Sequence, residues 1–275
     1  MMRASHPNQM PPFKIVVRSK DPAIKARREA LAERVLAHFG DTLPNENLLC
    51  FFDEEDFRKL KDDVGAANRG LYQTIDVHAL RFWVDEYWGA WPHYVQECIV
   101  DGDERLFDHL IYLHGSSCSK DVGLTMTFAH ELQHFVQHGD NLVLWAENTL
   151  ISIVLRRVLK ASDIASLGLI WSDIPIEREA RCVSKQSAQA LFGAAEVTEY
   201  IDGEIKEAGT RGDTADARNW RFMRDLDTSA PYDLERQTLS LFRRLKAYKS
   251  QLALVLHHLR SDPAFETIDL DTILG

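Results

Sequence analysis

From Val122 onward the chain carries long helical patterns, over about 123–138, 142–160, 174–192 and 232–260, with few strand-like runs. The first half reads differently. Residues 13–19, FKIVVRS, are β-branched and predict a strand, and Asp21-Pro22 then opens a helical pattern that runs to His38 and stops at Gly40. Leu48 to Phe52 predicts a second, buried strand, with Asp53 capping a short charged helix to about Asp63. Between Gly70 and Gly115 the periodicity is mixed and rich in aromatics, among them Trp83, Tyr87, Trp88, Trp91 and Tyr94. A strand-bearing first half leading into a helical second half predicts an α+β fold. The expectation is an α/β N-terminal half with a small mixed sheet over residues 1–140, followed by a helical C-terminal half over residues 141–275.

The 275 residues, 45% apolar and 27% charged, are those of a folded globular protein. Lys and Arg number 32 against 42 Asp and Glu, a net charge of −10 that argues against nucleic acid and anionic membranes as partners. Cys50, Cys98, Cys118 and Cys182 lie far apart, Met1 to Pro12 is polar, and the most apolar span, Leu142 to Leu155, is broken by Glu147. These features lead us to expect a cytoplasmic protein without a membrane anchor. In the last helical stretch Leu234, Leu241, Leu245, Tyr248, Leu252, Val255 and Leu259 recur at three- and four-residue steps. Leu239, Phe242, Leu254 and Leu256 widen that stripe, favouring docking on the protein's own core over a helix-mediated dimer.

Residues 127–138 read TFAHELQHFVQH and contain His130-Glu131-Leu132-Gln133-His134, an H-E-x-x-H sequence. On a helix, positions i and i+4 share a face, so two imidazoles can hold one zinc ion while the glutamate between them reaches its water. Phe128, Ala129, Leu132, Phe135 and Val136 make the rest of the helix apolar, the composition of a buried helix offering a few polar groups to a cleft. A catalytic zinc takes a third protein ligand. His138 is eight residues from His130, about 12 Å along a straight helix, too far to join the same tetrahedron, so it is expected to end the helix or support the ligands. Glu177 and Glu179, in the helix opened by Ser172-Asp173-Ile174-Pro175, and Glu147 remain open on periodicity.

TFAHELQHFV resembles the extended signature of the zincin metallopeptidases, and HELQHFVQHG with a later Glu-x-x-Ala resembles the gluzincin pattern of ImmA/IrrE-type peptidases. That resemblance implies a zincin-like fold and maps the third ligand to Glu177, three residues before Ala180. Arg181 stands where the pattern has Asn or Asp. What it implies chemically is a Zn2+-dependent metallopeptidase acting on a protein or peptide substrate, with His130, His134 and Glu177 as metal ligands and Glu131 as general base. Tyr200, Arg181, Tyr232 and the His257-His258 pair are candidates to stabilise the developing oxyanion. The alternatives are a zinc amidase on a non-peptide substrate or a protein's N-terminus and a binding or regulatory module whose zinc site is structural or vestigial; a Cys118/His114 nucleophile pair is a weaker competitor. No G-x-G-x-x-G, G-x-x-x-x-G-K-[ST] or G-x-S-x-G sequence is present.

Overall fold

Six short strands and eleven helices can be followed in a computed structural model that describes residues 13–54, 69–75, 93–101, 104–115 and 119–275. In chain order they are β1 (Phe13–Arg18), α1 (Pro22–Phe39), β2 (Leu48–Asp53), β3 (Gly70–Thr74), α2 (His93–Ile99), β4 (Val100–Asp101), β5 (Glu104–Arg105) and β6 (His109–Leu113). Then come α3 (Asp121–Asp140), α4 (Leu142–Ile153), α5 (Ala161–Ser166), α6 (Pro175–Phe192), α7 (Ala194–Arg211), α8 (Thr214–Asp225), α9 (Leu234–Arg244), α10 (Lys249–Leu259) and α11 (Leu270–Leu274). The fold is α+β, with a small mixed sheet in the N-terminal part, and no described helix is long and apolar enough to cross a membrane. Asp53, expected to cap a helix, instead ends β2, where its carboxylate accepts from the Tyr94 and Tyr112 hydroxyls. The rest of that expected helix, from residue 55 to about Asp63, lies outside the described residues, as do Trp83, Tyr87, Trp88, Trp91, Cys118 and the first twelve residues.

The sheet order is β1-β2-β6-β3, with β1, β2 and β6 parallel and β3 antiparallel along β6. β2 and β6 are buried at every position, because both faces of the sheet are covered. Leu48, Cys50, Phe52, Ile111 and Leu113 meet α1 and α3 through Leu31, Val35, Leu124, Phe128 and Phe135. Leu49, Phe51, Leu110 and Tyr112 face the opposite way, onto Val95, Ile99 and Phe107. His109 has the parity of Ile111 and Leu113, so it too points toward α3.

The helical half is built on two apolar clusters. One joins α4, α9, α10 and α11; the other joins Val122 and Met126 of α3 to Cys182, Ala188, Val197, Ile201, Trp220 and Met223, so apolar packing continues across residue 140. The continuous helix expected over 232–260 is in fact two, α9 and α10, separated by a 3₁₀ turn at Lys246–Tyr248. Leu245, fully buried, donates its N–H to carbonyls three and four residues back, and the tightened chain turns the apolar stripe inward on both sides. Leu241, Leu252, Leu256 and Leu259 are all buried within the chain's own core. α4 likewise ends early, passing into a π turn at Val154–Val158.

Candidate metal centre

α3 is pinned to the sheet by Leu124, Phe128, Leu132 and Phe135, which leaves the face carrying His130 and His134 turned toward α6. α6 starts with Pro175, a residue whose fixed φ suits a first helical turn, and this places Glu177 opposite the two histidines. Nε2 of His130 and Nε2 of His134 lie 3.1 Å apart. Glu177 Oε2 is 3.4 Å from the first and Glu177 Oε1 is 3.7 Å from the second. Donors about 2.05 Å from a tetrahedral zinc ion are about 3.3 Å from one another. The three separations bracket that value, so the residues fit a zinc ion.

The supporting contacts fix which nitrogen faces inward. Nδ1 of His134 donates to Gln137 Oε1 at 2.8 Å, which leaves Nε2 for the centre. Gln137 Nε2 in turn donates to the Ile176 carbonyl at 3.0 Å and to Glu179 at 2.7 Å, and Gln133 reaches the same Glu179 oxygen at 3.3 Å. Glu179 therefore orients the histidine from behind. Glu147 is on α4, where burial and nearby Glu235 raise its pKa, and it does not join the three donors. Burial pushes the Glu177 carboxyl up, but the hydrogen bond to His130 and the charges of His134, His130 and Arg181 hold it well below the usual carboxylate range. Burial, with His130 beside it, lowers the pKa of His134 and favours the neutral ligand form.

Glu131 is 6% exposed, and burial raises its carboxyl to about 7 against the pull of His134. β3 supplies its setting. The Tyr72 backbone hydrogen-bonds to Glu131, and Gly70 lets the strand approach so closely that an added Cβ would lie 3.1 Å from Glu131 Oε1. These residues line a cleft of about 830 Å³ together with Trp145, Trp171, Trp220, Arg156 and Arg181.

Of the oxyanion candidates, Arg181 alone lines this cleft, one helical turn beyond Glu177, with Nε sealed from solvent and its charge felt by Glu177 and Glu131. Tyr200 accepts from Arg69 at 3.1 Å, Tyr232 lines a smaller pocket with Arg178, and His257 and His258 are exposed on α10. His138 joins His109 and Glu46, a grouping that local sequence does not signal. Comparison of the chain with protein-family models, with curated proteins and with solved structures finds no match in any of the three.

Proposed function

We propose that the chain is a zinc-dependent metallopeptidase of gluzincin type, with His130, His134 and Glu177 as ligands and Glu131 as general base. The observation that carries this reading is the convergence of two imidazole nitrogens, 3.1 Å apart, with the Glu177 carboxylate, whose two oxygens lie 3.4 and 3.7 Å from them, beside a buried glutamate in a cleft. Zinc held by two imidazoles and a carboxylate acts as a Lewis acid and brings the pKa of water from about 15.7 to near 7. Glu131, oriented by the Tyr72 backbone, takes a proton from the attacking water and returns it to the leaving amine. Arg181 offers positive charge to the carbonyl oxygen as it becomes negative. β3 lines the cleft as the edge strand of the described sheet, and its backbone groups suit an extended peptide.

Glu131→Gln keeps the side-chain shape and removes the base. Zinc content by mass spectrometry and cleavage of a peptide library are measured on both proteins. The expected result is equal zinc in the two and cleavage slowed by about 10²–10⁴-fold in the variant. Equal cleavage rates would remove Glu131 from the chemistry. Zinc binding without cleavage by the wild type would favour the binding or regulatory module.

A further inference from the structure

We propose that Glu46, His109 and His138 form a second site for a divalent cation of the zinc class, separate from the centre at His130, His134 and Glu177 and independent of its reading. One ligand atom from each of the three residues lies within 4.8 Å of the other two, and the donor set is again two imidazoles and a carboxylate. Nε2 of His109 is 2.6 Å from Glu46 Oε2, and the rings of His109 and His138 stand edge to face at 5.2 Å between centroids. The rings of His130 and His134 are 4.7 Å apart in a similar attitude.

Three separate devices bring these donors together. Asn47 accepts through its carbonyl from the backbone N–H groups of Asp108 and His109, at 3.0 and 3.1 Å, which ties the segment bearing Glu46 to the start of β6. Pro44 seats on the last turn of α3 at Gly139, where an added Cβ would come 2.4 Å from Pro44 Cγ, so a side chain there would drive the Glu46 segment away from His138. Tyr72 Oη lies 3.0 Å from His109 Nδ1, an outer hydrogen bond that turns Nε2 toward Glu46, and an ion taken up there replaces the proton that Nε2 shares with the Glu46 carboxylate at 2.6 Å.

The Glu46 side chain is 43% exposed while that of His109 is 5% exposed, giving the ion an entry path and a solvent-facing position. The two sites share α3 without sharing a ligand. His138 follows His134 by one turn, about 6 Å along the helix axis, and Trp145 packs against both rings. An ion held here clamps the 44–47 segment, β6 and the end of α3. Through Tyr72 it also steadies the strand whose backbone holds Glu131.

The test counts zinc bound by the chelator-stripped full chain, titrated against a chromogenic chelator, with circular dichroism to verify folding. Wild type is expected to take two equivalents, His138→Gln and Glu46→Gln one each, His134→Gln one, and Glu46→Gln/His134→Gln none. A wild type that takes one equivalent, lost in His134→Gln and kept in both Glu46→Gln and His138→Gln, would overturn this site and leave the other standing. One equivalent lost in His138→Gln and kept in His134→Gln would support this site and overturn the other. Should His138→Gln fail to fold, the same count on Glu46→Gln decides, since that side chain is partly exposed.

Discussion

Replacing Gly70 by alanine should push β3 off the helix that carries both histidines. The new methyl group would lie 2.9 Å from Thr127 Cγ2 and 3.1 Å from Cγ and Oε1 of Glu131. Ordinary carbon contacts are about 3.5–4.0 Å, so the overlap with Thr127 is about 0.6–1.1 Å. Overpacking of this kind costs about 1–3 kcal/mol. α3 is packed on both sides, whereas β3 is an edge strand of the described sheet, so the strand gives way first. Its displacement loosens the Tyr72 backbone bond to Glu131, and cleavage should fall by about tenfold, a barrier increase of about 1.4 kcal/mol, with zinc retained. Urea unfolding reads the stability change as a lower midpoint at unchanged slope. Thr127→Ser removes Cγ2 and keeps the hydroxyl that bonds the Gly123 carbonyl at 2.9 Å, so the double variant should recover about 1 kcal/mol relative to additivity. A stability change below about 0.5 kcal/mol together with no coupling to Thr127 would refute the close approach.

The choice of carboxylate gives a second expectation: Glu177→Ala should lose zinc at this centre and all cleavage. Glu179→Ala should keep the metal at about 10–100-fold weaker affinity, having lost the group that holds Gln137, and Glu147→Ala should bind as wild type. Competitive zinc titration separates the three, and equal losses in Glu177→Ala and Glu147→Ala would contradict the assignment. A third expectation concerns acid. Burial raises the Glu204 carboxyl, but Arg69 at 2.7 Å and Lys120 at 3.0 Å more than offset that and hold it below its ordinary 4.5. A depressed folded pKa stabilises the fold above the unfolded value, and the gain is lost as pH falls through the folded one. Glu204→Gln should therefore cost about 1.5–3 kcal/mol at pH 7, with the gap to wild type narrowing below pH 4.5. A gap in urea midpoint that stays constant from pH 7 to pH 3.5 would count against the pairing.

What could be read from the chain alone follows from how local each signal is. H-E-x-x-H puts His130 and His134 on one helix face within one element, so their pairing is legible in the chain, whereas periodicity leaves Glu177, Glu179 and Glu147 open and only the resemblance points to Glu177. β2 was visible as a short apolar run. β6, HLIYL, was not, because a strand buried on both faces shows no alternation and sits in the aromatic stretch of mixed periodicity. α7 was missed for the opposite reason: Gly203, Gly209 and many charges dilute its narrow apolar stripe of Val197, Ile201 and Ala208. The break at Leu245 was hidden because the leucine spacing continues in phase through the 3₁₀ turn. Glu46, His109 and His138 meet only through strand pairing and the seat of Pro44 on Gly139, which no local spacing encodes.

Diffraction from zinc-loaded crystals at the zinc edge locates the metal and its ligands. An anomalous peak is expected with Nε2 of His130 and of His134 at about 2.0–2.1 Å and a Glu177 oxygen at about 2.0–2.2 Å. A zinc ion bound to both histidines with Glu179 or Glu147 in place of Glu177, or no peak between His130 and His134, would contradict this ligand set.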